Sequence, residues 1–542
     1  MTNEHSSYYL TTPIYYVNDV PHLGTAYTTI AADVMARYRR MCGHDVLFLT
    51  GLDEHGQKVE QAATAAGYTP QEWVDKLAPA FLDTWKMLNI SNDDFIRTTE
   101  ERHTRSVQEL ARRLYESGDI YRGNYEGWYC VPDEAYWNEK DLDWKKGGSA
   151  PINEDGTEAA PLCPDCGRPL KYVEEENWFF RLSNYADWLM ELYESNPDFV
   201  GPETRRNECM SFIRSGLHDL SISRGNVKWG IPLPWTGDGD AAQTMYVWFD
   251  ALINYITAVG FGDPSEAAAV EFAYRWPAQV HYVGKDIIRF HCIIWPAMLH
   301  AAGLPVPKQI FAHGFLLAKG GEKMSKSKGN ALSPAELVKR FGVDGYRYYF
   351  LRDVTFGQDG SISDEAMVQR FNGDLANDWG NLVSRLFTMV GKYCDGVVPA
   401  YVGDWAAADA EGAVLRDIAA GLYDTVEAAY DRFDYSGALV AVWELVRAAN
   451  RYLEDSAPWG LAKDPAQADR LANVLWSTLE AVRVIALYTA PTMPATSDEV
   501  CARLSLAPAT TIGNLKHDAR WGHLPPGNKV VKGDPLFLRL EV

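Results

Sequence analysis

The sequence predicts an α/β protein whose parallel sheet is interrupted by an insertion and followed by a helical bundle. Three observations predict it. Short β-branched and aromatic runs alternate with helix-period segments at the start of the chain and again near residue 280. Between these blocks lies a stretch rich in Gly, Pro and Asp, with two cysteines close together. From about residue 375, apolar residues recur at i, i+3, i+4 and i+7.

The elements follow in order. Residues 8–17, "YYLTTPIYYV", read as a buried strand closed by the turn "NDVP". Ala26, Ile30, Val34, Tyr38 and Met41 then recur at helical spacing, with Gly43 as the stop. His22 and the Gly24 amide fall at that helix's N-terminus, where unsatisfied N–H groups favour an anion. "DVLFLTGLDEHG" is a second strand ending in Asp53 and His55. "AQVHYVGKDIIRFHCIIWPAML" supplies another strand (Val280–Val283), a Gly-Lys-Asp turn and a helix carrying His291. "QIFAHGFLL", 309–317, is one more strand. In the last part, Trp379, Leu382, Val383, Leu386, Phe387 and Val390 form one apolar stripe, and Leu439, Val442, Leu445, Val446, Ala449, Tyr452 and Leu453 another, which suits antiparallel helices.

A chain of 542 residues exceeds one hydrophobic core. The divisions expected are 1–117 and 237–318 for the two halves of the sheet domain, 118–236 for the insertion, 319–374 for a linking region and 375–542 for the helices. Eight cysteines are too few for a disulfide scaffold and fit a reducing compartment. "MTNEHSSYYLTT" has no charged-then-apolar leader, and no stretch approaches the roughly 18 apolar residues of a spanning helix. A cytoplasmic protein without a membrane partner is expected. A net charge of −22 argues against a broad nucleic-acid-binding face, though a local basic stripe is compatible with it.

Against that acidity, "HGFLLAKGGEKMSKSKGN" (313–330) places four lysines on a Gly-rich, loop-like segment. An isolated lysine run is usually a solvated loop. Here it follows a strand, and a His-x-Gly turn sits at a helix start far upstream. Two β-α halves, each with a phosphate-binding type of turn, make a nucleotide crevice.

His22-Leu23-Gly24-Thr25 resembles the first signature of class I aminoacyl-tRNA synthetases, and Lys323-Met324-Ser325-Lys326-Ser327 matches the second. Within that class the chain resembles the methionyl-tRNA synthetases along nearly its whole length, through "TTPIYYVND", "FLTGLDEHG", "RRNE", "DLSISR", "YVWFDALINY", "VGKDIIRFH", "KMSKSKGN" and "NLVSRL". The resemblance implies a Rossmann-like catalytic domain split by a connective insertion, then an α-helical anticodon-binding domain. It implies an ATP-dependent ligase that converts L-methionine and ATP, with Mg²⁺, to methionyl-adenylate and then charges tRNA(Met), initiator tRNA included.

The resemblance assigns catalysis to His22, Lys323 and Lys326. ATP binding falls to His22, Gly24, Thr25, Gly284, Asp286, Lys323, Ser325 and Lys326, with Asp286 suited to the ribose hydroxyls. Thr25 stands where the family usually has a second His, so this position binds phosphate without charge. Ile14, Tyr16, Trp248, Ala251, Leu252, Tyr255 and His291 line the implied methionine pocket, and Asp53 holds the ammonium. Ile14 and Leu252 replace other apolar residues common there, which alters shape more than polarity. Taken alone, Trp248 and Tyr255 read as core.

Cys163-Pro-Asp-Cys166-Gly is a good zinc-knuckle turn. Cys130 supplies a third thiol, and Asp133 stands where metal-bearing relatives have a fourth. A Cys₃Asp zinc site and a degenerate, empty knuckle are both open, and either role is to brace the insertion. Asn381 and Arg385 share a helix face away from the apolar stripe. With Pro458 and Trp459 they are implied to read the CAU anticodon, Trp459 by stacking on an unpaired base. The chain leaves no room for the appended module that dimerises some relatives, so a monomer is expected. Synthetases for Ile, Val or Leu carry a much larger editing insertion, a small nucleotidyltransferase would lack the helical half, and a non-catalytic relative would lose the lysine signature.

Overall fold

The computed structural model describes residues 6–17, 20–130, 135–137, 142, 160–164, 166–225, 227–235, 243–318 and 333–541. Its strands are β1 (Ser7–Tyr16), β2 (Asp45–Asp53), β3 (Asp94–Arg97), β4 (Ile120–Cys130), β5 (Ala135–Trp137), β6 (Lys171–Phe180), β7 (Val200–Gly201), β8 (Leu220–Ser221), β9 (Ser223–Arg224), β10 (Thr244–Met245), β11 (Val280–Gly284), β12 (Ile310–His313), β13 (Leu316–Ala318) and β14 (Gly360–Ile362). Six of them form a parallel sheet in the order β3-β2-β1-β11-β12-β7. The chain leaves β1 toward β2 on one side, and β11 lies on the other. The switch in direction opens a crevice at the carboxyl ends of β1 and β11, where ligands of such sheets bind.

Residues of both faces of the sheet are buried, which is why its strands are continuously apolar. Leu10, Phe48, Tyr282 and Phe311 belong to the core shared with helix Leu23–Met41 and the helical domain. Tyr9, Leu49, Val283 and Ile310 belong to a second core with the base of the insertion. Pairing of β1 with β2 shifts register between Thr11 and Ile14, at Pro13. Proline has no N–H to donate to a ladder, so a register break is a natural place for it. Beyond the break, Ile14 pairs with Gly51 and Tyr16 with Asp53. A side chain at Gly51 would meet the Ile96 carbonyl, so only glycine lets β3 approach there.

The structure departs from the sequence reading at three places. The strand read over 309–317 is two strands, β12 in the main sheet and β13 paired with β14. The break falls at Gly314, which lies against the backbone of Gln358 and Asp359 with no room for a Cβ. The division at 118–236 separates β7 from the sheet domain, yet β7 pairs with β12 in the main sheet. The insertion proper is the antiparallel sheet β5-β4-β6-β8, and between β6 and β8 the chain adds β7 to the main sheet. Finally, Pro465–Thr489 is long and apolar enough to cross a membrane, where no such stretch was expected. From Val474 to Thr489 every residue is buried inside the helical domain, so the helix has no need of a polar face.

Helices Asn381–Tyr393, Ala413–Asp431, Tyr435–Ser456 and Ala468–Thr489 build that domain, and the two predicted apolar stripes are its core. It is tied to the sheet domain through helix Leu23–Met41. Asp33 pairs with Arg347 at 2.6 Å, both fully buried, and Arg39 pairs with Glu427 at 2.8 Å. The Tyr38 ring stacks on Tyr430 with centroids 3.8 Å apart.

Candidate active site

The crevice begins with His22, the N-cap of helix Leu23–Met41. Its Nδ1 accepts from the Gly24 amide at 3.1 Å and the Thr25 amide at 3.4 Å. An Nδ1 that accepts leaves the ring proton on Nε2, the nitrogen a phosphate oxygen needs as donor. Thr25 closes the reciprocal half of the cap. Its Oγ1 accepts from the His22 amide at 3.0 Å and donates to the His22 carbonyl at 2.7 Å. The hydroxyl expected to face phosphate is thus engaged with the helix end.

Across the crevice, β11 runs into the Gly284-Lys285-Asp286 turn. A Cβ on Gly284 would lie 2.4 Å from the Asp286 carboxylate, so glycine allows that carboxylate to fold back over the strand end. Asp286 is exposed. Lys285 donates to Asp359 at 2.8 Å, and the other Asp359 oxygen accepts from the Phe315 amide at 2.8 Å. His313 at the end of β12 donates from Nδ1 to the Gly314 carbonyl at 2.8 Å, leaving Nε2 to accept from Thr28 at 2.6 Å. One chain of contacts therefore runs from the second turn of the His22 helix through His313 and Asp359 to the Gly-Lys-Asp turn. β13 leads from it into the lysine-rich segment. Lys323, Ser325 and Lys326 lie outside the described residues, as does Asp133.

The expected amino-acid pocket also assembles. Asp53 ends β2 and is buried, beside Tyr16 in the register. Tyr16 meets Trp248 edge-on at 5.9 Å, and Trp248 stacks on Phe290 at 4.0 Å. Ala251 and Leu252 are buried one turn along helix Val247–Leu252. Ile14, half-buried, packs against the core to which Leu252 belongs. His291 lies in a π-helical turn, Phe290–Ile294. Its Nδ1 donates to the Ile287 carbonyl at 3.0 Å, so its Nε2 accepts, and the Tyr255 hydroxyl supplies that hydrogen bond at 2.7 Å. Burial pushes His291 down to about 4 and the Tyr255 phenol well up, so both are neutral at physiological pH. A neutral aromatic wall facing one carboxylate suits an ammonium with a polarisable apolar side chain.

Comparison with known proteins follows the same lines. The family described as "tRNA synthetases class I (M)" matches residues 8–387, and "Anticodon binding domain of methionyl tRNA ligase" matches 401–541. The methionine–tRNA ligase of Thermotoga maritima is 48% identical over 98% of this chain and 80% of its own length. That of Streptomyces coelicolor is 47% identical over 99% of this chain and 97% of its own. The Mycobacterium tuberculosis methionyl-tRNA synthetase in complex with methionyl-adenylate superimposes with a TM-score of 0.89, at 44% identity, covering 98% of this chain and 100% of that one.

The chain belongs to the methionyl-tRNA synthetase family.

In this synthetase the second predicted site lies on the helical domain. Asn381 is exposed, and Arg385 one turn on donates to Glu454 at 2.9 Å. Glu454 is in the last turn of helix Tyr435–Ser456, which ends at Ala457 in the left-handed conformation (φ 44°). Pro458 follows, buried, and Trp459 is 38% exposed. The Arg385–Glu454 pair joins the Asn381 helix to the turn of helix that precedes Pro458 and Trp459. In the insertion, the Sγ atoms of Cys130, Cys163 and Cys166 all lie within 4.8 Å of one another. Gly167, at φ 70°, completes the knuckle turn by donating its amide to the Cys163 carbonyl at 2.8 Å.

Sequence reasoning missed His103, Asp250, His313 and Asp359. Asp250 in "VWFDALI" and His313 in "IFAHGFLL" carried one signal, a charged or imidazole residue within an apolar run, whereas His103 and Asp359 stand in polar stretches and carried none.

Proposed function

We infer that this chain is an ATP-dependent methionine–tRNA ligase. The methionine carboxylate attacks the α-phosphorus of ATP, pyrophosphate leaves, and a ribose hydroxyl of the terminal adenosine of tRNA(Met) then takes the methionyl group, releasing AMP. The observation that carries the reading is the crevice itself. A proton-bearing His22 Nε2 at a helix start and the Gly284-Asp286 turn flank the switch point, beside a neutral aromatic pocket with a buried carboxylate.

In this reading Asp53 holds the ammonium, and Ile14, Tyr16, Trp248, Ala251, Leu252, Tyr255 and His291 surround the thioether. Asp286 takes the ribose hydroxyls, His22 donates to the triphosphate, and Lys323 and Lys326 stabilise the departing pyrophosphate. Mg²⁺ bound to the triphosphate would neutralise its charge. Apart from the three cysteines, no group of metal-ligand residues gathers among the described residues, so that ion is expected to arrive with ATP. Three clustered thiols suit zinc, which would brace the insertion, with Asp133 the candidate fourth ligand. A metal-to-protein ratio near zero after purification without chelator would exclude it. We read residues 1–117 and 237–318, together with β7, as the catalytic domain and 375–542 as the anticodon-binding domain, with initiator tRNA among its partners, in a cytoplasmic monomer. The reading is tested by methionine-dependent ATP–pyrophosphate exchange without tRNA, compared with leucine, isoleucine and valine. Exchange with methionine alone is the result expected, and exchange with leucine but not methionine would overturn it.

A further inference from the structure

We propose that Asp250 is a positioning residue for methionine selection, holding the Asp53 loop and the Trp248 helix at a fixed separation. Asp250 is fully buried in an otherwise apolar helix. Its Oδ2 accepts from His55 Nδ1 at 2.7 Å and its Oδ1 from His103 Nε2 at 2.7 Å. His103, also fully buried, lies on helix Glu101–Glu116, and its Nδ1 is 3.3 Å from the Thr257 hydroxyl. One carboxylate therefore joins three segments. Burial pushes this carboxyl up, and His55 and His103 more than offset that, so it stays ionised.

The sequence positions connect this network to the pocket. His55 is two residues after Asp53. Asp250 is two residues after Trp248 and directly before Ala251 and Leu252. The loop is fastened along its length, so Asp53 and His55 are held in one frame. Glu54 accepts from Arg97 at 2.7 Å and from Thr99 at 2.5 Å, its carbonyl accepts from the Trp229 indole at 2.6 Å, and Gly56 donates to the Trp229 carbonyl at 3.1 Å. Any change in the reach of Asp250 is therefore carried to the ammonium anchor on one side and to the thioether wall on the other. Stability alone gives little reason to bury such a carboxylate, since well-packed apolar residues serve as well. Fixing the distance between two walls does need it. A pocket discriminates one methylene by about 10- to 200-fold only while its walls hold their spacing.

The proposal rests on the methionine-pocket assignment above. Its test is exchange kinetics on the full chain, saturating methionine and ATP separately, with ethionine as the one-methylene-longer competitor. Asp250→Glu keeps the charge and lengthens the reach. It is expected to raise the KM for methionine about tenfold or more and to narrow the methionine-over-ethionine preference, with the KM for ATP within about twofold. His55→Ala, at the rim of the network, is expected to act in the same direction. His55→Asn, which restores a donor at the Nδ1 position, is expected to recover most of the loss. Wild-type methionine KM and ethionine preference in both Asp250→Glu and His55→Ala, with only thermal stability reduced, would overturn the proposal. Absence of methionine-dependent exchange in the wild-type chain would instead overturn the pocket assignment.

Discussion

Replacing Arg347 by Met tests how the catalytic and helical domains are joined. The guanidinium is fully buried and donates to the Asp33 carboxylate at 2.6 Å, the Thr492 carbonyl at 2.9 Å, the Pro491 carbonyl at 3.0 Å and the Leu88 carbonyl at 3.1 Å. Asp33 also accepts from Arg37 at 2.8 Å and from Ser91 through its amide at 2.7 Å and its hydroxyl at 2.6 Å. Burial pushes the Asp33 carboxyl up, but Arg347, Arg37 and Ser91 together bring it from 3.8 to about 2. Burial also pulls Arg347 down, with Asp33 opposing it. The lowered carboxyl corresponds to about 2–3 kcal/mol of stability at neutral pH. Because the folded value lies below the unfolded one, that stability is complete above about pH 5 and is lost as pH falls toward about 2. Arg347→Met leaves the buried Asp33 carboxylate to Arg37 and Ser91 alone and takes their donor from three carbonyl groups, at an expected cost of about 3–5 kcal/mol. Guanidinium unfolding, read at the first cooperative transition, measures it. Asp33→Asn added to Arg347→Met removes a buried charge that Arg37 alone then balances, and is expected to recover part of the loss. A cost below about 1 kcal/mol for the single variant, or a double variant no better than it, would refute the reasoning.

Other outcomes are expected at the sites. Lys326→Ala should lower kcat for pyrophosphate exchange by about a hundredfold or more with little change in the KM for methionine, and an unchanged kcat would remove this residue from the chemistry. Trp459→Ala should impair tRNA charging while sparing exchange, so equal loss in both assays would assign Trp459 to folding. Tyr255→Phe leaves the His291 Nε2 without its donor, at about 1–3 kcal/mol, and should raise the KM for methionine correspondingly. His291 titrates near 4 when folded and 6.5 when not. The unfolded chain thus binds more protons between those values, and stability should fall as pH drops from about 6.5 to about 4. A wild-type stability profile flat over that window would contradict its burial.

Much of this molecule is legible along the chain because local patterns carry local consequences. The β1 strand, the His22 cap with its helix and Gly43 stop, and the two apolar stripes of the helical domain follow from side-chain period and end-capping chemistry. The Cys163-x-x-Cys166-Gly turn follows as directly. The resemblance to known synthetases added the roles. What the linear pattern does not contain is which polar residues meet across the sheet. The 309–317 strand reads as continuous until Gly314 is pressed against the backbone of residues 358–359. Asp250 reads as a lone acid in an apolar helix, yet it pairs with histidines 195 and 147 residues away in sequence. Such partners are chosen by packing. A buried charge must find donors wherever the assembled layers bring them, and no spacing rule encodes a contact between segments that only folding makes neighbours.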